Sequence, residues 1–65
     1  MTRIDARGMR CPWPAIRLAK ALRDGARVVE IEADDPRAGG ELANAAAALG
    51  ARLDVVSEGR FRAER

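Results

Sequence analysis

Apolar residues recur along this chain with two alternating periods. Ile4 and Ala6 alternate with Arg3, Asp5 and Arg7, the two-residue period of a strand with one buried face, and Gly8 ends it. From Pro14 the period changes: Ala15, Ile16, Leu18, Ala19 and Leu22 are assigned to one face of a helix, Arg17, Lys20 and Asp24 to the other, and Gly25 closes it. Alternation returns over residues 28–33, where Val29, Ile31 and Ala33 oppose Glu30 and Glu32. Asp34-Asp35-Pro36 predicts a second helix start, because an Asp side chain accepts orphan N–H bonds and proline fits a first turn. Leu42, Ala45, Ala46 and Leu49 supply its apolar stripe, and Gly50 its stop. Leu53 and Val55 predict a third strand, Glu58-Gly59 a turn, and Phe61 and Ala63 a last strand alternating with Arg60, Arg62 and Glu64.

The predicted order is β-α-β-α-β-β. Amphipathic helices and one-faced strands pack most economically as an α+β two-layer sandwich, with two helices on one face of a four-stranded mixed sheet and the other face solvated. Right-handed crossovers place the first β-α units side by side, and the short last connection makes the final strand antiparallel to the third. No linker or low-complexity tract interrupts the pattern, so residues 1–65 read as a single domain.

Composition narrows the chemistry. A domain of 65 residues buries only about 60% of its unfolded-chain surface, so it has little stability to spare. One cysteine and no histidine exclude an internal disulfide and the usual zinc sites, so neither metal nor cofactor is expected. The first residues alternate charged and apolar types with no continuous apolar run, which predicts neither a signal peptide nor a membrane span. A free thiol without a secretion signal points to the cytoplasm. The net charge of +2 hides an asymmetry: residues 1–27 hold most of the cations against Asp5 and Asp24, while residues 28–50 hold Glu30, Glu32, Asp34, Asp35 and Glu41 against Arg37 alone.

The single thiol, Cys11, lies in Met9-Arg10-Cys11-Pro12-Trp13-Pro14, where strand gives way to helix. Proline is best tolerated in a helix's first turn, so Pro12 and Pro14 mark the start and place Cys11 at or beside the N-cap. Free N–H groups, the positive end of the helix dipole and neighbouring Arg10 all favour a thiolate there, which predicts a nucleophilic sulfur of lowered pKa. A buried cysteine serving as a small hydrophobe is the bland alternative. Trp13 reads equally as an exposed partner anchor or as a cap packed over the helix. Arg17, Lys20 and Arg23 form either a solvated helix face or a basic docking stripe for an acidic partner.

The string from Gly8 to Pro14, followed one helix and one strand later by Ala33-Asp34-Asp35-Pro36, resembles the TusA/SirA-like sulfur-carrier family over essentially the whole chain. That family is built on a Cys-Pro-x-Pro signature at the start of its first helix, in a domain resembling the C-terminal domain of translation initiation factor three. The resemblance implies a sulfurtransferase acting as a persulfide relay, with Cys11 bearing sulfane sulfur and Arg10, Pro12 and Pro14 supporting it. It further implies a cysteine desulfurase or rhodanese as sulfur donor and a downstream relay protein as acceptor, and gives Asp35 a partner contact besides its cap role. Transfer-RNA thiolation, molybdenum-cofactor synthesis, sulfur oxidation and selenium metabolism are all compatible pathways. Against this stand a thioredoxin-like oxidoreductase, which wants a second cysteine, a thiolate-ligated haem site, and a regulatory or nucleic-acid-binding module. Direct nucleic-acid binding is disfavoured by the scarcity of aromatic residues and the mixing of acids with bases.

Overall fold

The computed structural model describes all 65 residues. Its elements are β1 (Thr2–Asp5), α1 (Trp13–Arg23), β2 (Val28–Glu32), α2 (Ala38–Ala48), β3 (Arg52–Ser57) and β4 (Arg60–Glu64), the order that the alternating periods predict. The sheet runs β1-β2-β4-β3. β1 and β2 are parallel, while β4 is antiparallel to both of its neighbours. The final hairpin therefore inserts its second strand into the middle, leaving β1 and β3 as edges.

Register sorts the side chains. Ile4, Ile31, Phe61 and Val55 pair across the four strands, as do Thr2, Val29, Ala63 and Leu53, and these rows face the helices. Leu18, Leu22, Val29, Ile31 and Leu42 are fully buried between the layers, each contributing about 1.5–3 kcal/mol relative to an exposed side chain. The rows between carry charge on the open face. Arg62 donates to Glu30 at 2.9 Å, with Arg3 at 3.9 Å from the same carboxylate. Arg60 lies 3.7 Å from Glu32, and Arg52 3.6 Å from Glu64. Opposite charges on facing strands neutralise that face row by row.

Two apolar residues fall outside the predicted core. Ile16 is 45% exposed, because the buried stripe of α1 is Pro14, Ala15, Leu18 and Leu22, and a residue two positions from Leu18 points to the opposite side of a helix. Val55 is 69% exposed: it lies on an edge strand beside the irregularity at Val56, and the α2 residue over its neighbour Phe61 is Gly39. No helix is long and apolar enough to cross a membrane.

Candidate functional site

Because β1 and β2 are parallel neighbours, the loops that follow them leave the sheet at the same end and stand side by side. Two consecutive carboxylates after β2 fasten the loop after β1. Asp34 Oδ1 accepts the Gly8 N–H at 2.9 Å, and Asp35 Oδ2 accepts the Cys11 N–H at 3.2 Å. The other oxygen of Asp35 accepts the Arg37 N–H at 2.8 Å, an Asx-type turn that starts α2. Asp35 thus shapes the turn ahead of α2 and ties the cysteine loop to it, but it does not cap the helix as expected, because the N-cap is Arg37 without a side-chain bond and Pro36 lies in the turn before the first helical residue. Its side chain is only 9% exposed, with the Arg37 guanidinium 3.6 Å away. These N–H bonds hold the Asp35 carboxyl below the ordinary carboxylate range.

Cys11 is half-buried, immediately before the N-cap Pro12 of α1. Its thiol stands above the ordinary value, which corrects the expectation of a lowered pKa. Partial burial contributes most, followed by the Asp35 charge; Arg37 opposes them, while Glu41 and the approach of the thiol to the Asp35 carboxylate add to the rise. The helix start explains the reversal. Pro12 and Pro14 have no N–H, and the Trp13 N–H donates to the Arg10 carbonyl at 2.9 Å, so the first turn offers a thiolate few donors. The prolines that locate the helix also strip its anion-binding end. The cation that favours the thiolate is Arg37, not the adjacent Arg10.

A family model described as Sulfurtransferase TusA matches residues 2–64. The chain belongs to the TusA sulfurtransferase family. It is also similar to the crystal structure of a SirA-like protein from Desulfitobacterium hafniense, with 31% identity, a TM-score of 0.80 and coverage of 97% of this chain and 92% of that one. A search of curated proteins found no match.

Around the cysteine of this TusA-family chain, the sequence-predicted residues divide into two groups. Pro12 is exposed at the N-cap, whereas Pro14 is fully buried in the core. Trp13 is 59% exposed and borders a depression of about 470 Å³ with Met9, Arg10 and Arg17, an arrangement that favours the exposed reading over the cap. Lys20 is paired with Asp24 at 2.9 Å, while Arg10, Arg17 and Arg23 have no carboxylate at ion-pair distance. Asp34, Arg37 and Glu41 are the neighbours that the reading of site residues missed. The Asp-Asp-Pro run was their signal, but its first carboxylate serves the cysteine loop rather than the helix it precedes.

Proposed function

We propose that this protein is a sulfur carrier that holds sulfane sulfur as a persulfide on Cys11 and relays it between proteins. The observation carrying this reading is the placement of the chain's one thiol, half-exposed at a loop-to-helix junction and fastened from behind by Asp35, in a member of a sulfurtransferase family. In the loading step the Cys11 proton leaves to solvent or to a base on the donor. The thiolate attacks the terminal sulfur of a donor persulfide, the donor's S–S bond breaks, and the donor cysteine departs as thiolate. The Cys11 S–S bond replaces the one broken, so no oxidant or reductant is consumed. Unloading is the same exchange, with an acceptor thiolate attacking the terminal sulfur.

The raised thiol pKa suits a carrier that waits for its partner. At neutral pH the resting sulfur is mostly protonated and resists indiscriminate oxidation, since the thiolate is the reactive form. A persulfide is a stronger acid than a thiol, and its terminal sulfur sits about 2 Å beyond Sγ. The partners of this reading are a cysteine desulfurase or rhodanese as donor and a downstream relay protein as acceptor, in the cytoplasm. Trp13 and the unpaired Arg10, Arg17 and Arg23 form the docking side, with Lys20 and Asp35 at its margins. A nucleic-acid module gains no support, since Phe61 is buried and the open sheet face is neutralised by its own carboxylates.

Intact-protein mass spectrometry tests the reading. With a desulfurase or rhodanese and its sulfur donor, the protein gains about 32 mass units, removed by dithiothreitol, and folded Cys11→Ser gains none. An unmodified wild type across several donors would refute it.

A further inference from the structure

β1 is an edge strand, and beside it a groove of about 430 Å³ runs between Thr2–Ile4 and the α1 residues Arg17, Lys20 and Ala21. The Ala6 N–H donates to the Glu32 carbonyl at 2.8 Å, and successive residues of a strand turn their backbone groups alternately toward and away from one neighbour. Thr2 and Ile4, in phase with Ala6, therefore face β2, while Arg3 and Asp5 present N–H and C=O to the free edge. Cations border this edge. The Arg3 side chain is 80% exposed and its contact with Glu30 is long at 3.9 Å; Arg17 has no ion pair, and Lys20 is held only by an exposed Asp24. Arg17 also lines the depression beside Trp13, so the two concavities adjoin at Arg17, on the side of α1 that leads to the loop carrying Cys11. From Trp13 to Asp24 the helix rises about 16 Å, a span that an extended chain covers in about five residues.

We propose that this groove seats an extended acidic segment of the sulfur donor or acceptor, added to the free edge of β1 as a further strand, with the carboxylates of its helix-facing side on Arg17 and Lys20 and one end beside Trp13. The identity of the partner rests on the carrier reading above; the binding itself involves no sulfur chemistry. A nucleic-acid strand fits less well. It has no alternating amide N–H and C=O groups to match those of Arg3 and Asp5.

The probe is an end-blocked hexapeptide alternating Glu and Val, titrated into the full chain while Trp13 fluorescence and amide hydrogen exchange are followed. The expected result is saturable binding with slowed exchange at the Arg3 and Asp5 amides, and an affinity about tenfold lower in Arg17→Glu or Lys20→Glu. Arg3→Pro, which deletes an outward N–H while sparing the β1–β2 ladder, abolishes the effect. Should that variant lose its fold, exchange at Asp5 in the wild type and the two helix variants decide the matter. Equal binding of the Lys/Val counterpart, unprotected Arg3 and Asp5 amides, or tighter binding of a single-stranded oligonucleotide would overturn the proposal. No sulfur donor is present, so such a failure removes the strand-addition site and leaves the persulfide reading to its own mass measurement.

Discussion

At the scale of single residues, the behaviour of Cys11 is set by Asp35 more than by its own helix. Only the thiolate alkylates, so the rate rises as pH climbs through the thiol pKa; the inflection of the wild type is expected above the free-thiol value of about 8.5. Asp35→Asn removes the charge and keeps an acceptor for only one of the Cys11 and Arg37 N–H groups, and should move the inflection down; an unchanged profile would separate Asp35 from the thiol. Asp35→Ala also loses both backbone bonds and should melt lower than the asparagine variant. The depressed Asp35 pKa gives a second readout. A carboxyl whose folded pKa lies below its unfolded one contributes stability above the ordinary carboxylate range, and this is lost as pH falls through the folded value. Acid melts of the wild type should consequently fall more steeply than those of Asp35→Asn. The sequence made the position of Cys11 legible through its prolines. It hid the sign of the pKa shift, because partial burial, the largest cause, is a product of packing, and the carboxylate that adds to it stands 24 residues away and is brought near only by the parallel pairing of β1 and β2.

Among the elements, α1 and α2 begin in opposite ways. α1 has proline at its N-cap and at its second residue, one exposed and one buried, so the two prolines carry different burdens. Pro14→Ala opens the core and should cost roughly 1–2 kcal/mol in urea unfolding. Pro12→Ala, at the surface, should leave the midpoint nearly unchanged while slowing persulfide transfer per folded molecule, because it loosens the junction presenting Cys11. Equal losses of stability in the two variants would contradict this division. α2 opens on Gly39-Gly40, and a Cβ at Gly40 would meet nothing within 4 Å. Gly40→Ala should therefore stabilise the protein by about 0.5–1 kcal/mol. Element types were legible because alternation and helical spacing differ so clearly at Ile4–Ala6, Leu18–Leu22 and Phe61–Ala63. The assignment of Ile16 to the core failed at the finer level of azimuth: an apolar residue in an apolar helix need not lie on the packed side.

Across the whole molecule, folding redistributes charge in a way that the linear asymmetry only partly foreshadows. Arg3 and Arg7 belong to the basic first segment, yet they lie against Glu30 and Asp5. Glu30 and Glu32 belong to the acidic middle, yet they are paired with Arg62 and Arg60 on the open sheet face. That pairing depends on β4 lying between β2 and β3, an order that no local pattern specifies, since the hairpin signal at Glu58-Gly59 says which strands are joined and not which one enters the sheet. The cations without a carboxylate partner are Arg10, Arg17 and Arg23 on the loop and first helix, and Arg27 and Arg65 at the opposite end of the sheet, so Arg10 and Arg17 are the ones nearest Cys11. Long-range steering follows unpaired charge, because oppositely charged neighbours cancel beyond a Debye length of about 8–10 Å. Stopped-flow association with an acidic relay partner should accordingly slow as salt rises. Arg17→Glu or Arg23→Glu should lower the on-rate several-fold at low salt and flatten its salt dependence. Arg60→Glu makes the same change in net charge on the paired sheet face and should leave the on-rate close to that of the wild type. Equal slowing by all three variants would mean that net charge, rather than its placement around the thiol, governs docking.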